Sequence, residues 1–345
     1  MGYGLLMLGN QPMARMGEIA RLAERTGCDT LWLADERFYR EVYGGLAYLA
    51  GQTSRVKLGP CVTDPYSRHP ALTAMAIATL DEISGGRAVL GIGAGISGFG
   101  ELGIERVKPA RAIREAIELI RRLLAGETVT YQGEIISFRE GRLSFRPIRP
   151  EIPVVVATNG PLGKRMAGAV ADAVIMEAAA NAEEIRALRA EISAGARAAG
   201  RDPAAVRLIA RLNTCIAADG AAARDALRPT VARLLGARRL KFATAERQGL
   251  TLPEDAIASV RGAPYAAGVT PYLPLLPLVT DRHVDAFTLA GTPAEVAAHV
   301  AELRAAGADS VIIMPFAAPG GSIEATIEAF GTEVWPKAAA GGGTA

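Results

Sequence analysis

The stretch from Thr30 to Gly93 contains three short apolar runs, TLWLA (30–34), VKLGPCVT (56–63) and AVLGIG (88–93), separated by longer segments. Runs of this length and composition are typical of buried strands in a parallel sheet, and their alternation with amphipathic helices predicts βα units. The same pattern continues toward both ends of the chain. The predicted strands are residues 3–8, 30–34, 56–63, 88–93, 154–157, 173–176, 207–216 and 310–314.

Eight such units predict an α/β fold, the (β/α)₈ TIM barrel, as one domain over residues 1–337. Ile113, Ile117, Ile120 and Leu124 share one helical face, which we expect to pack on the barrel. An open dinucleotide-binding sheet fits worse, because the glycines of residues 91–95 lack the G-x-G-x-x-G spacing. Residues 338–345 contain only Ala, Gly and Thr, which predicts a disordered tail.

Two intervals are too long for a plain βα connection and are predicted insertions. The first, residues 128–150 after strand four, has alternating pieces at 128–131, 135–138 and 143–145, which predict a small antiparallel hairpin or meander. The second, residues 236–285 between strands seven and eight, is rich in proline and predicts a loop with short helices. It is either a lid over a ligand or a spacer.

The composition excludes several classes of function. Lys and Arg number 38 against 36 for Asp and Glu, and no basic run interleaved with aromatics suggests a nucleic-acid partner. No apolar run has the length of a membrane span. The 3 cysteines are far apart and predict neither disulfides nor a zinc site, which fits a reducing cytoplasm. His69 is expected to have a structural role at a helix start, and we expect no metal site.

In a barrel, the residues that follow the strands form the active site. Asp35 and Glu36 follow strand two, where paired carboxylates would exchange a proton or hold a substrate as catalytic groups; the alternative is a solvated acidic loop. Arg37 and Arg40 would offer positive charge to an anionic substrate or to a cofactor, or form a surface pair.

Two further segments are candidate cofactor-binding residues. Gly93, Ala94 and Gly95 carry little side chain and would let a ligand approach the backbone, although a tight turn has the same composition. Thr158, Asn159 and Gly160 precede a helix, so their amides and hydroxyl would hold a phosphate; a plain capping segment would look the same.

The segments VKLG (56–59), VTDPYSRHP (62–70), LDEISGGR (80–87), TNGP (158–161) and FGTEVWP (330–336) resemble the bacterial luciferase-like family. Within it the chain most resembles the methylenetetrahydromethanopterin reductases, which use the deazaflavin coenzyme F420. The resemblance implies a (deaza)flavin ring against strand three, bound by Gly59, Pro60, Cys61, Val62 and Thr63. It also implies a cis peptide bond at Cys61–Val62, whereas without it Cys61 would be an ordinary buried strand cysteine.

The chain departs from these reductases at two positions. Relatives often have a histidine where this chain has Glu36, which argues against an imidazole proton relay. Leu6 stands where the reductases have an acidic residue, which argues against tetrahydromethanopterin as the substrate.

The favoured hypothesis is an enzyme that transfers a hydride between F420 and a small organic substrate. The alternatives are a monooxygenase that uses reduced FMN from a partner flavin reductase, and a non-catalytic flavin-binding barrel. Relatives commonly dimerise, and the apolar residues 43–50 offer a surface for a homodimer. No lysine ends a predicted strand, which argues against Schiff-base chemistry.

Overall fold

Parallel strands alternate with helices along the chain in a computed structural model that describes residues 2–95, 97–238, 243–263 and 267–340. The strands are β1 (Gly4–Met7), β2 (Thr30–Leu33), β3 (Lys57–Pro60), β4 (Leu90–Gly93), β5 (Val129–Gln132), β6 (Ser137–Gly141), β7 (Val154–Ala157), β8 (Ala173–Glu177), β9 (Arg207–Ile216), β10 (Thr288–Gly291) and β11 (Ser310–Pro315). All eight predicted barrel strands are present, and four of them, β1 to β4, are shorter than predicted.

The helices follow the strands in the order that the sequence predicts. They are α1 (Met13–Arg25), α2 (Val42–Gln52), α3 (Pro70–Ile83), α4 (Pro109–Leu124), α5 (Pro161–Val170), α6 (Ala182–Ala198), α7 (Gly220–Gly236), α8 (Ala243–Arg247), α9 (Glu254–Ser259), α10 (Asp281–Phe287), α11 (Pro293–Ala305), α12 (Ile323–Ala329) and α13 (Trp335–Ala340). Short 3₁₀ helices cover Pro203–Ala205 and Thr270–Leu278, and a π-helical turn covers Phe330–Val334. No helix of the described segments is long and apolar enough to cross a membrane.

The strand order is that of a TIM barrel, which confirms the predicted fold class. Hydrogen-bonded neighbours run β3-β2-β1-β11-β9-β8-β7-β4, and β10 pairs with β9. Isolated parallel bridges join Leu58 to Ala88 and Thr63 to Ile92, so β3 also meets β4. The short antiparallel pair β5–β6 forms a separate sheet.

The chain divides into two compact units. The first contains Leu6–Ile175 and Glu191–Arg207, and the second contains Met1–Leu5, Met176–Ala190 and Leu208–Ala345. The second unit has an aromatic core, in which the ring of Tyr3 lies 4.9 Å from Phe330 and 6.0 Å from Trp335. The guanidinium of Arg304 lies 5.5 Å from the centre of the Trp335 ring. Aromatic packing and a cation–π contact therefore fix the C-terminal helices of this unit.

In the first unit, two glycines allow β3 and β4 to approach each other around Trp32. A Cβ at Gly59 would lie 2.2 Å from the carbonyl oxygen of Val89, and one at Gly91 would lie 2.0 Å from that of Pro60. Either Cβ would also lie 3.0 Å from the buried indole of Trp32. Because backbone stands in the way, neither position tolerates a side chain without separating the strands.

The first predicted insertion is a hairpin, which is one of the two structures, hairpin or meander, that the sequence predicts. Its strands β5 and β6 pair in antiparallel register, while residues 143–145, the third predicted piece, are not a strand. The buried carboxylate of Glu115 on α4 accepts hydrogen bonds from the backbone amides of Glu134, Ile135 and Ile136, each at 2.9 Å. The carboxylate therefore fixes the turn of the hairpin against α4.

The second insertion contains α8, α9, the 3₁₀ helix and α10, in agreement with the predicted short helices. The strand β10 follows it and was missed from the sequence, because Thr288–Gly291 is too short to show periodicity between two helices. Residues 239–242 and 264–266 of the insertion and 341–345 of the predicted tail lie outside the described residues. Residues 338–340, where the tail was predicted to begin, belong to α13.

Candidate active site

The polar residues at the carboxyl ends of β2 and β3 form one buried network in the first unit. Arg37 follows β2, and its guanidinium is ion-paired with Asp64, which follows β3. The Asp64 side chain is 0% exposed and that of Arg37 is 10% exposed. Arg37 also donates to Ser67 Oγ and, at 3.0 Å, to the carbonyl oxygen of Asp35. The guanidinium thus joins the segments that follow two neighbouring strands.

Asp64 is held from several directions. Its Oδ1 accepts from the backbone amides of Tyr66 and Ser67, each at 2.8 Å, and its Oδ2 accepts from Ser67 Oγ at 2.8 Å. The ring of Phe99 lies under the guanidinium of Arg37, 5.0 Å from its Cζ. A buried carboxylate with this many donors and a paired guanidinium is held in one orientation.

Asp35 is the half-buried carboxyl group of the site. Burial raises its pKa above the usual range, while the positive charges of Arg37 and Arg68 and the neighbouring Thr63 hydroxyl oppose that rise. Among negative charges, Asp64 raises the pKa of Asp35 further. Asp64 is therefore a carboxylate that acts on Asp35, and the predicted pairing of Asp35 with Glu36 stays a prediction. A carboxyl group with a raised pKa is suited to proton transfer near neutral pH.

The segment Gly59–Thr63 lies at the end of β3, as the resemblance implied. The peptide bond Cys61–Val62 is cis, which confirms that expectation, and Arg37–Phe38 is a second non-prolyl cis bond that the sequence reasoning missed. Within the segment, Gly59, Pro60 and Thr63 are buried, and only Cys61 and Val62 are partly exposed. A ligand over β3 would therefore contact these two residues.

Packing within the protein explains the two glycines of residues 93–95. A Cβ at Gly93 would lie 2.7 Å from Val62 Cγ2 and 3.0 Å from the carbonyl oxygen of Ala157. Gly95 has a φ of +64°, and a Cβ there would lie 2.7 Å from the ring of Phe99. The tight-turn alternative accounts for both glycines, so their role in cofactor binding stays a prediction.

Thr158, Asn159 and Gly160 lie directly before α5 and are partly exposed. Gly160 is the N-cap and gives α5 no side-chain cap, and nothing lies within 4 Å of the position of its missing Cβ. The hydroxyl of Thr158 would be 1.9 Å from a Cβ at Gly163, so it lies over the first turn of the helix. An uncapped helix start with an adjacent hydroxyl can hold an anion, as predicted.

Other candidates have structural explanations. His69 is the N-cap of α3, and its Nδ1 accepts from the amide of Ala71 at 3.1 Å, which confirms its predicted role. Arg40 is exposed and donates to the carbonyl oxygen of Gly9 at 3.1 Å. In the described segments no group of three His, Cys, Asp or Glu residues has the arrangement of a metal site.

The sequence reasoning did not single out Asp64 or Tyr43. Asp64 lies within the quoted segment VTDPYSRHP, but the order of residues in that segment does not show that Asp64 pairs with Arg37. Tyr43 was read only as part of an apolar surface, whereas it is buried close to Asp35. The sequence neighbours of a single acidic or phenolic residue do not reveal which residues it contacts in the folded protein.

A (β/α)₈ barrel with a buried acid–guanidinium network after its second and third strands is typical of the barrel enzymes. Comparison with known proteins identifies the family within that class. The luciferase-like monooxygenase profile matches residues 3–310, and the chain belongs to this family. The chain is 36% identical to the 5,10-methylenetetrahydromethanopterin reductase of Archaeoglobus fulgidus, over 98% of this chain and 99% of the relative.

Two further comparisons cover nearly the whole chain. The reductase of the same name from Methanolobus tindarius is 34% identical over 90% of this chain and 93% of the relative. The solved structure of the coenzyme F420 dependent tetrahydromethanopterin reductase from Methanopyrus kandleri has a TM-score of 0.87 and 30% identity, and covers 97% of this chain and 98% of that one. The family that the sequence resembles is thereby confirmed.

Proposed function

We propose that this chain is an F420-dependent oxidoreductase that transfers a hydride between coenzyme F420 and a small organic substrate. The observation that carries the proposal is the likeness, over nearly the whole of both chains, to a reductase that is named for its dependence on F420. The half-buried acid Asp35 at the end of β2 supplies the proton-transferring group that such a reaction needs.

The residues of the first unit fit the coenzyme. The partly exposed Cys61 and Val62 would contact the deazaflavin ring, and Ala94 with Gly95 would line its path. The uncapped start of α5 after Gly160 would hold the phosphate of the coenzyme tail. When bound, the deazaflavin accepts or donates the hydride.

Asp35 would carry the proton of the reaction. In the oxidation of an alcohol, the Asp35 carboxylate would take the proton as the O–H bond breaks, and the bound coenzyme would supply the acceptor for the hydride released from the C–H bond. Reduction of the carbonyl product returns both. Burial raises the pKa of Asp35, and the positive charges of Arg37 and Arg68 oppose that rise.

We infer that the substrate differs from tetrahydromethanopterin. Leu6 lies in β1 with 4% of its surface exposed, and it brings no acidic group to the position where the reductases have one. Glu36 in place of a histidine further removes an imidazole from the end of β2. The acid that remains is Asp35, which favours a substrate whose reduction or oxidation requires one proton.

The test is a pair of binding titrations, one with F420 and one with FMN, followed by turnover on a panel of alcohols, enals, imines and methylenetetrahydropterins. We expect tight F420 binding and hydride transfer to at least one class. The Asp35→Asn variant should bind F420 as the natural chain does and lose most of the turnover. Tight FMN binding without affinity for F420 would reject the proposal in favour of the monooxygenase.

We further propose that the protein is a cytoplasmic homodimer. The predicted surface, residues 43–50, is largely buried within its own chain, because Tyr43, Leu46 and Leu49 pack inward. The exposed apolar stripe lies instead on α3, where Leu72, Met75 and Ile83 are spaced along one face and are 50%, 46% and 54% exposed. Such a stripe is typical of an interface between copies.

A further inference from the structure

A group of polar side chains lies on three neighbouring strands of the second unit. Glu177 is the last residue of β8, Arg211 and Asn213 lie in β9, and Met314 lies near the end of β11. The three strands are hydrogen-bonded neighbours in the order β11-β9-β8, and all four residues are partly exposed. Because barrel enzymes bind their substrates at the carboxyl ends of the strands, a polar cluster at this place is a candidate substrate contact.

The geometry of the strands places three of these side chains on one face. Side chains alternate along a strand, so Arg211 and Asn213, which are two residues apart, lie on the same face of β9. Met314 is the in-register partner of Asn213 in the parallel pair of β9 with β11. The guanidinium agrees with this placement, because Arg211 Nη2 donates to Met314 Sδ at 3.0 Å. The amide of Asn213 therefore lies beside the guanidinium and the thioether.

An ion pair holds the guanidinium and balances its charge. Arg211 Nη1 lies 3.2 Å from Glu177 Oε1, and the two side chains are 15% and 22% exposed. The backbone amide of Ala178 donates to the carbonyl oxygen of Arg211 at 2.9 Å, which ties the end of β8 to β9. An anion that approached Arg211 would also meet the carboxylate of Glu177. The pair therefore favours a neutral ligand over an anionic one.

The side-chain oxygen of Asn213 lacks a hydrogen-bond donor. Its Oδ1 is buried from solvent, and among the residues that the structure describes it has no hydrogen-bond partner. Most buried acceptors in folded proteins have a donor, because an acceptor without one has lost its water and gained nothing. A ligand with an N–H or O–H group would supply this donor when the amide turns about its Cβ–Cγ bond.

We propose that Asn213, with Arg211 beside it, forms a specificity subsite that binds a neutral substrate through a hydroxyl or carboxamide group. Such a group supplies the donor that Asn213 Oδ1 lacks, and its own oxygen can accept from the guanidinium. The inference rests on the proposed function, which it deepens by naming a class of substrate. Binding at the subsite can nevertheless be measured without coenzyme and without turnover.

The reporter of binding is Met314, whose sulfur contacts Arg211. The coenzyme-free protein is labelled with ¹³C at the methyl groups of its 8 methionines, and Met314→Leu assigns the signal. Acetamide, 1,2-propanediol and acetate are titrated separately at neutral pH. We expect at least one of the two neutral probes to shift the Met314 signal with saturation, and acetate to leave it unchanged. The neutral probe that binds more tightly identifies the substrate group as carboxamide or hydroxyl.

The decisive variant is Asn213→Leu, which removes the amide with little change in shape. It should weaken the binding of the neutral probe about tenfold, since one hydrogen bond is lost. It should also melt no lower than the natural chain, because Asn213 Oδ1 has no partner to lose, whereas an amide with a structural role would be missed. The matched control is Gln132→Leu, which removes an exposed amide from the hairpin and should leave probe binding unchanged.

Three results would overturn the inference. The first is acetate binding as tight as that of the neutral probes, because Arg211 would then act as an anion site. The second is probe binding that Asn213→Leu does not weaken, with the folded state intact by circular dichroism. The third is the absence of a saturable shift with both neutral probes.

Turnover separates this inference from the proposed function. For substrate alcohols that carry a second hydroxyl or a carboxamide, Asn213→Leu should raise KM about tenfold and change kcat less. The KM of the matching alcohols without that group should stay the same. Probe binding by a protein that does not use F420 would support the subsite and refute the proposed function. Turnover with F420 in a protein that binds neither neutral probe would do the reverse.

Discussion

Replacing Arg37 by methionine tests whether the ion pair with Asp64 holds the site together. The methionine side chain has a similar length and can still contact Phe99, but it leaves the Asp64 carboxylate buried without its cation. Removing one partner of a buried ion pair costs about 3–5 kcal/mol. Asp64 retains its donors from Tyr66 and Ser67, so we expect a loss near the lower end, about 3 kcal/mol.

The assay is urea unfolding followed by tryptophan fluorescence, to which Trp32, buried beside Gly59 and Gly91 in the same unit, contributes together with Trp335. The partner variant Asp64→Asn and the double variant complete a double-mutant cycle. The loss in free energy of unfolding of the double variant should be smaller than the sum of the two single losses by about 2 kcal/mol. Arg15→Met is the control, because the pair of Arg15 with Glu18 is largely exposed and should contribute less than about 0.5 kcal/mol.

The reasoning is refuted if Arg37→Met costs no more than Arg15→Met, or if the two losses in the cycle are additive. A second consequence concerns Asp35. Arg37 opposes the rise that burial gives to the pKa of Asp35, so the variant should raise that pKa further and move the pH profile of substrate oxidation to higher pH. A stability loss without any change in the pH profile would mean that Arg37 acts on Asp64 alone.

Three other perturbations have expected outcomes. Asp35→Asn should stabilise the protein by roughly 0.5–2 kcal/mol at pH 8. Because burial raises the pKa of Asp35, the folded state binds more protons than the unfolded state and loses stability as pH rises through the folded pKa. In melting curves the gain of the variant should therefore vanish below pH 3.8, the ordinary pKa of an aspartate. Glu115→Gln should cost about 2 kcal/mol of stability at pH 7. Burial would raise the pKa of Glu115 but three backbone donors lower it, so the contribution of its carboxylate to stability is present above pH 4.5 and is lost as pH falls through the folded pKa. The urea unfolding curves of the variant and the natural chain should therefore differ at pH 7 and converge at pH 3. Met75→Glu should convert the proposed dimer to monomer in light scattering after gel filtration, whereas Leu162→Glu, at a more exposed apolar position on α5, should not; an unchanged dimer would exclude the α3 stripe.

The barrel could be predicted because its signal is repeated. Most strands are short, mainly apolar runs, because both faces of a parallel sheet are buried. At the start of α11 the sequence pattern and the structure also agree, because Thr292 and Glu295 have the spacing of a capping box and its reciprocal bonds are present at 2.7 and 3.3 Å. Strand β10 could not be seen, because four residues, Thr288–Gly291, carry too few positions to distinguish a strand from the end of a helix.

The site was only partly predictable, for a physical reason. Asp35 was found because it directly follows a strand, and strand ends converge in a barrel. The groups that act on its pKa, Arg37, Asp64 and Thr63, do so through space, and two of them follow another strand. The order of residues along the chain therefore indicated Glu36 as the neighbour of Asp35, whereas the charges of Arg37 and Asp64 act on it through space, and the catalytic roles of Asp35 and Glu36 stay predictions.

The glycines near the site show how a functional and a packing explanation can share one pattern. Gly59, Gly91 and Gly93 are each required by backbone or side chains of the protein itself, so their presence says little about a ligand. A charged residue that is buried has no such packing explanation, because desolvation opposes it unless a function or a partner is gained. Asp64 has its partner in Arg37, but Asp35 has none of comparable strength, and its raised pKa remains uncompensated. That imbalance is the reason why Asp35 is proposed as the residue whose protonation the reaction uses.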